Sequence, residues 1–146
     1  MSATFNNLGI SYTYTTVPTF TSSMVGYSSY NNNLLVTQTS SGATSVNVLS
    51  ITILYPGVYL CEGNITYSTN TSQMYVFCSL NTVSATINND NMVNVFTSAT
   101  TQTNLSLRTT TVITISTGPT TLYCVGRSGY ANQTISSGFI QYTRIA

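Results

Sequence analysis

Charge is what this sequence has least of. Of its 146 residues only five are ionic: Glu62, Asp90, Arg108, Arg127 and Arg144, for a net charge of +1. It has no Lys, no His and no Trp. Without His there is no Ser–His–Asp arrangement, and almost nothing can move a proton near neutral pH. A Cys nucleophile needs a base beside it, and only Glu62 and Asp90 are on offer. A carboxylate pair for glycoside hydrolysis would have to be those same two. Glu62 falls in mid-strand, where it reads as a partner for an Arg. Asp90 falls in an Asn-rich turn. The chain is therefore expected to be no enzyme, with no catalytic, cofactor-binding or metal-binding residue. Three scattered Arg do not neutralise a run of phosphates, so nucleic-acid binding is not expected. A polybasic membrane-surface role fails on the same count.

Cysteine is scarce and odd in number: Cys61, Cys78 and Cys124, with no Cys-x-x-Cys pair. That is not metal-site spacing. All three fall in apolar strand segments and read as small buried hydrophobes. One disulfide with a leftover thiol is the alternative, and spacing does not choose the pair. Long apolar runs are missing too. The longest, Val46 to Leu60, is broken by Asn47, Ser50, Thr52, Pro56 and Gly57, so no membrane-spanning helix is expected. Met1 to Ile10 shows no basic region followed by an apolar one, hence no signal peptide is read there.

What is present is uncharged polarity: Thr 28, Ser 20, Asn 15 and Gln 5, or 68 of 146 residues. Between these lie β-branched and aromatic residues, which suit pleated, half-buried surfaces. Short alternating segments recur between Asn, Ser, Thr and Gly clusters. Strands are predicted over Ile10 to Thr21, Val25 to Tyr30, Val46 to Leu54, Val58 to Tyr67, Gln73 to Leu80, Met92 to Ala99, Leu105 to Ser116, Thr120 to Val125 and Ile135 to Ile145. Loops are predicted at Asn31 to Asn33, Thr39 to Thr44, Pro56-Gly57, Asn88 to Asn91, Gly118-Pro119 and Gly126 to Gly129. In Val58 to Tyr67 the odd positions make the better core face. The last strand can turn either Ile140 and Tyr142 inward, or Phe139 and Ile145. No linker divides the chain, so residues 1–146 read as one domain. Turn signals every 8–12 residues or so suit a sandwich or barrel.

Two motifs resemble a known family. Tyr55-Pro56-Gly57-Val58-Tyr59-Leu60-Cys61-Glu62-Gly63-Asn64-Ile65 looks like the Pro-Gly-aromatic strand of C1q/TNF-like jelly rolls. Ser136-Ser137-Gly138-Phe139-Ile140-Gln141-Tyr142 resembles their closing Ser-Gly-Phe strand. Val17 to Ser22 and Thr143 to Ala146 are also similar to small Thr/Asn-rich structural proteins of large DNA viruses of algae and protists. The resemblance implies an all-β, single-domain jelly-roll β-sandwich of about 8–10 antiparallel strands. It also implies a homotrimer, packed through a sheet whose outward face carries Val58, Leu60, Val112 and Phe139. The collagen-like stalk and acidic metal loop of signalling relatives are missing, which counts against bound Ca²⁺.

The expected function is that of a virion structural protein: minor capsid, capsid-surface or fibre-head. It would be assembled in the host cytoplasm beside other virion proteins, with no membrane insertion. The competing expectation is a glycan- or host-receptor-binding module. Tyr27, Tyr30, Asn31, Asn32 and Asn33 form its candidate ligand surface, because Tyr supplies large contact area at low entropy cost. Most other Tyr read as core.

Overall fold

A computed structural model of the chain describes residues 4–7, 10–13, 21–39, 44–69, 74–97, 103–129 and 133–146. Ten strands are present among them: β1 Thr4–Asn7, β2 Ile10–Thr13, β3 Ser28–Asn31, β4 Ser45–Ile53, β5 Gly57–Thr69, β6 Met74–Asn81, β7 Val93–Thr97, β8 Thr103–Ile115, β9 Thr120–Ser128 and β10 Thr134–Arg144. β1 and β2 pair as an antiparallel hairpin. The other eight form two antiparallel sheets, ordered β3-β10-β5-β8 and β4-β9-β6-β7. Except between β6 and β7, each successive strand crosses to the other sheet, and the last strand returns to lie between β3 and β5. That is the connectivity of an eight-stranded jelly roll.

Alternation decides which side chains enter the core. On β5, Tyr59, Cys61, Gly63, Ile65 and Tyr67 are buried, while the even positions face outward half-buried or exposed. On β8, Leu107 and Ile115 are buried on the same parity. Ile140 and Tyr142 point inward from β10, which leaves Phe139 on the outward side. β6 behaves differently: Val76 through Leu80 are buried on both faces. Burial of about twenty such apolar side chains is the main force for folding, at roughly 1.5–3 kcal/mol for each large one.

The sheets are stitched as well as packed. Tyr67 Oη, from β5, donates to the Phe77 carbonyl of β6 at 2.6 Å. Asn31 Nδ2, from β3, donates to the Ser50 carbonyl of β4 at 2.8 Å. The Asn88 to Asn91 turn holds a single 3-10 turn over Asn89–Asn91. Asn91 completes the end of β6, accepting from the Leu80 amide at 2.8 Å and donating to its carbonyl at 2.9 Å.

Some expected boundaries differ. β2 begins at Ile10 as predicted, but Tyr14 to Phe20 lie outside the described residues. The predicted strand Val25 to Tyr30 starts later, at Ser28, because Thr21 to Tyr27 form turns; the Met24 and Tyr27 amides bond the Thr21 and Met24 carbonyls. Asn31 is strand, not loop. Gly126 to Ser128 are strand as well, extending β9 between β4 and β6. Gly126 is needed there because a Cβ would lie 2.7 Å from Tyr67 Oη and 2.8 Å from Val48 Cγ2.

Candidate functional site

The outward face of the β3-β10-β5-β8 sheet carries most of the residues singled out from sequence. Its register sorts them into rows. One row reads Ser28, Thr143, Leu60, Val112. The next reads Tyr30, Gln141, Glu62, Thr110. The third reads Phe139, Asn64, Arg108.

The Leu60–Val112 half of the first row is an apolar patch open to water. Leu60 is 40% exposed and its direct partner Val112 is 56% exposed. Val58 lies two residues along β5 from Leu60 and is half-buried. Ile145 also lies at this end, 45% exposed, with its amide bonded to the Val58 carbonyl at 2.8 Å. Nothing in its local sequence shows that it ends beside Val58.

The second row is polar. Arg108 Nη2 lies 2.8 Å from both carboxylate oxygens of Glu62. The Gln141 side-chain amide also donates to Glu62. The Arg108 hydrogen bond, helped by Gln141, holds the Glu62 carboxyl below the usual glutamate range despite some desolvation. Glu62 thus has the Arg partner expected of it.

Phe139 of the third row meets Tyr30 of the second. The Phe139 ring stacks on Tyr30 with centroids 5.8 Å apart and planes 25° apart. The Arg108 guanidinium sits over the Phe139 ring, 5.7 Å from its centroid. Phe139 therefore shares the face with Val58, Leu60 and Val112, but the Glu62–Gln141 row lies between them. Beside Tyr30 and Phe139 is an open groove of about 360 Å³.

The candidate ligand surface is dispersed by the fold. Tyr30 and Asn32 line that groove. Tyr27 is half-buried and packs on the core, 6.4 Å from the Tyr142 ring. Asn31 is spent on β4, as described. The Asn33 amide donates back to Asn31 Oδ1 at 3.0 Å, closing the turn.

All three thiols are free and buried. Cys78 Sγ and Cys124 Sγ lie 3.6 Å apart between β6 and β9. The hydrogen bond with Cys78, then burial, raises the Cys124 thiol well above its usual range. Burial pushes Cys61 up to about 12. Such thiols are poor nucleophiles. No cluster of three or more His, Cys, Asp or Glu exists among the described residues. No helix among them is long and apolar enough to cross a membrane.

No protein-family model matches this chain, and no curated protein matches it in sequence. Solved structures do match it in shape. A chain from the structure of infectious bursal disease virus, Gx strain, aligns with a TM-score of 0.55 at 9% identity, over 99% of this chain and 38% of the viral one. The infectious bursal disease virus VP2 subviral particle aligns with a TM-score of 0.43 at 14% identity, over 100% of this chain and 43% of that one. The chain thus spans well under half the length of these viral chains. The first likeness establishes a β-sandwich fold shared with a virus protein, and the second adds no weight. Neither is a C1q/TNF protein.

Proposed function

We propose that this chain is a non-enzymatic structural subunit of a virion, whether minor capsid, capsid-surface or fibre-head. In this reading residues 1–146 act as one domain and associate as a homotrimer, through the Val58, Leu60 and Val112 end of the outward face of the β3-β10-β5-β8 sheet. Other virion proteins are further partners, and the protein is assembled in the host cytoplasm. The observation that carries the reading is the Leu60–Val112 pair. Two large apolar side chains stand side by side, exposed, on β5 and the edge strand β8, with Val58 and Ile145 at the same end. Contiguous apolar surface of this kind marks an association site. Five charges in 146 residues also provide little repulsion between copies. The shared fold with a chain of infectious bursal disease virus supports the virion setting, as does the Thr/Asn-rich composition.

The test is a double variant, Leu60→Glu with Val112→Glu, followed by size-exclusion chromatography. Both positions are solvent-facing, so the fold survives and circular dichroism stays that of the parent. The assembly dissociates, because like charges would be buried against each other at the interface. A variant that elutes with the parent at every concentration would count against this face as the contact.

A further inference from the structure

The groove at the aromatic end of the same sheet has a different character from the apolar patch. We infer that it binds a neutral oligosaccharide, independently of the assembly proposed above. Its volume of about 360 Å³ lies within the range of small-molecule sites, roughly 300–1,000 Å³. Tyr30 is 57% exposed and stacks on Phe139. Together the two rings form a firm apolar platform, the kind of surface against which the C–H face of a sugar ring packs.

Besides Leu34 and Gly138, the remaining lining is amide and hydroxyl: Asn32, Asn64, Ser136 and Ser137. Asn32, Ser136 and Ser137 are exposed. Asn32 and Ser137 both donate and accept, while Ser136, whose hydroxyl donates to the Thr66 carbonyl at 3.2 Å, and Asn64 offer acceptors; together they match vicinal hydroxyls, themselves donors and acceptors. Asn64 is already oriented, since its Nδ2 donates to Ser106 Oγ at 2.7 Å and to the Leu107 carbonyl at 3.1 Å. Among the described residues, no charged side chain lines the groove. The nearest cation, Arg108, is engaged by Glu62. With that cation paired and no charge in the lining, the groove favours a neutral ligand.

The backbone builds the groove. A β-bulge falls between Ile135 and Ser137 of β10 and re-aims the serine pair, as bulges beside binding sites do. Gly138 follows it. A Cβ there would lie 2.6 Å from the Asn64 carbonyl oxygen, so only glycine lets β10 approach β5 this closely under the groove.

The test uses saturation-transfer NMR and calorimetry with neutral probes: lactose, N-acetyllactosamine, cellobiose and a mannose disaccharide. Sialyllactose serves as the charged comparison. The expected result is saturable binding of at least one neutral probe, with saturation transferred to sugar C–H protons. Tyr30→Ala should weaken it about tenfold, the loss expected for one stacked ring. Phe139→Leu should weaken it too, while keeping an apolar side chain under Tyr30. Tyr55→Ala, at an exposed Tyr outside the groove, should leave it unchanged. Solution mass should be the same for all these proteins, which separates this result from the fate of the assembly. Absence of saturable binding to every neutral probe would overturn the inference. So would binding that survives both Tyr30→Ala and Phe139→Leu, or binding confined to sialyllactose and lost in Arg108→Gln.

Discussion

Gly63 of β5 and Cys124 of β9 face each other across the sandwich so closely that a Cβ at position 63 would lie 2.8 Å from the Cys124 sulfur. The same atom would lie 2.9 Å from Leu80 Cδ2. Here the two sheets touch because one side chain is missing. Gly63→Ala should therefore overpack the core and destabilise the fold by roughly 1–3 kcal/mol. Urea denaturation measures this as a lower midpoint with an unchanged slope. Cys124→Ala in the same chain should recover part of the loss, since it removes the nearer obstacle. An unchanged midpoint in Gly63→Ala would mean the sheets are not this close.

Tyr67 offers a second test of the packing between sheets. Its hydroxyl is buried and donates to the Phe77 carbonyl. Tyr67→Phe removes the donor and should cost about 1–3 kcal/mol, the penalty for leaving a buried group unpaired. Tyr59→Phe should cost less. Tyr59 bonds the carbonyl of Tyr55, an exposed loop residue that water can serve instead.

Acid should weaken the fold through Glu62. Arg108 and Gln141 hold its folded-state pKa below the unfolded one. The contribution is present above the ordinary glutamate pKa and is lost as pH falls through the lower folded value. Arg108 is 60% exposed against 19% for Glu62, so screening keeps the effect small. Glu62→Gln should change stability at pH 7 by less than about 1 kcal/mol, and should flatten the acid limb of the stability profile. NMR titration of the Glu62 side chain reads the pKa directly. A value in the ordinary range would contradict the pairing.

Alkali should weaken the fold through Cys61. Its folded-state pKa is raised by burial, from an ordinary 9.0 to about 12. Its contribution is therefore fully present below pH 9 and lost as pH rises towards 12. Across that window the unfolded thiol ionises and the buried one does not. One such group adds a slope of up to about 1.4 kcal/mol per pH unit. Cys61→Ala should lower stability at pH 7 and remove that share of the alkaline slope. In the parent protein, alkylation of all three thiols should await unfolding. Fast labelling of any one under native conditions would show that the core opens there.

Much of the architecture is legible in the sequence, because alternation is a local signal. The odd positions of Val58 to Tyr67 are apolar where they meet the core, and that parity is the one the fold uses. The orientation of β10 is less legible. Phe139, Ile140, Tyr142 and Ile145 all carry apolar bulk, and only pairing with β5 sends Ile140 and Tyr142 inward. Gly126 has the composition of a loop residue, yet it lies in a strand because Tyr67 comes from the opposite sheet to occupy its Cβ space. The candidate site was dispersed for a related reason. Tyr27 to Asn33 are adjacent in sequence, but strand alternation sends Tyr30 outward and Asn31 towards β4. Phe139 and Asn64 join Tyr30 from strands more than thirty residues away, a contact no local pattern announces. The Glu62–Arg108 pair is half legible: an Arg partner is implied by scarcity of charge, and register picks which Arg.

The central claim is that exposed apolar residues at one end of the β3-β10-β5-β8 sheet are covered by further copies of this chain. Light scattering on a size-exclusion column, over a wide concentration range, tests it most directly. A mass close to three times the 15.7 kDa of one chain, stable on dilution, is the expected result. A single species of 15.7 kDa at all concentrations would contradict it.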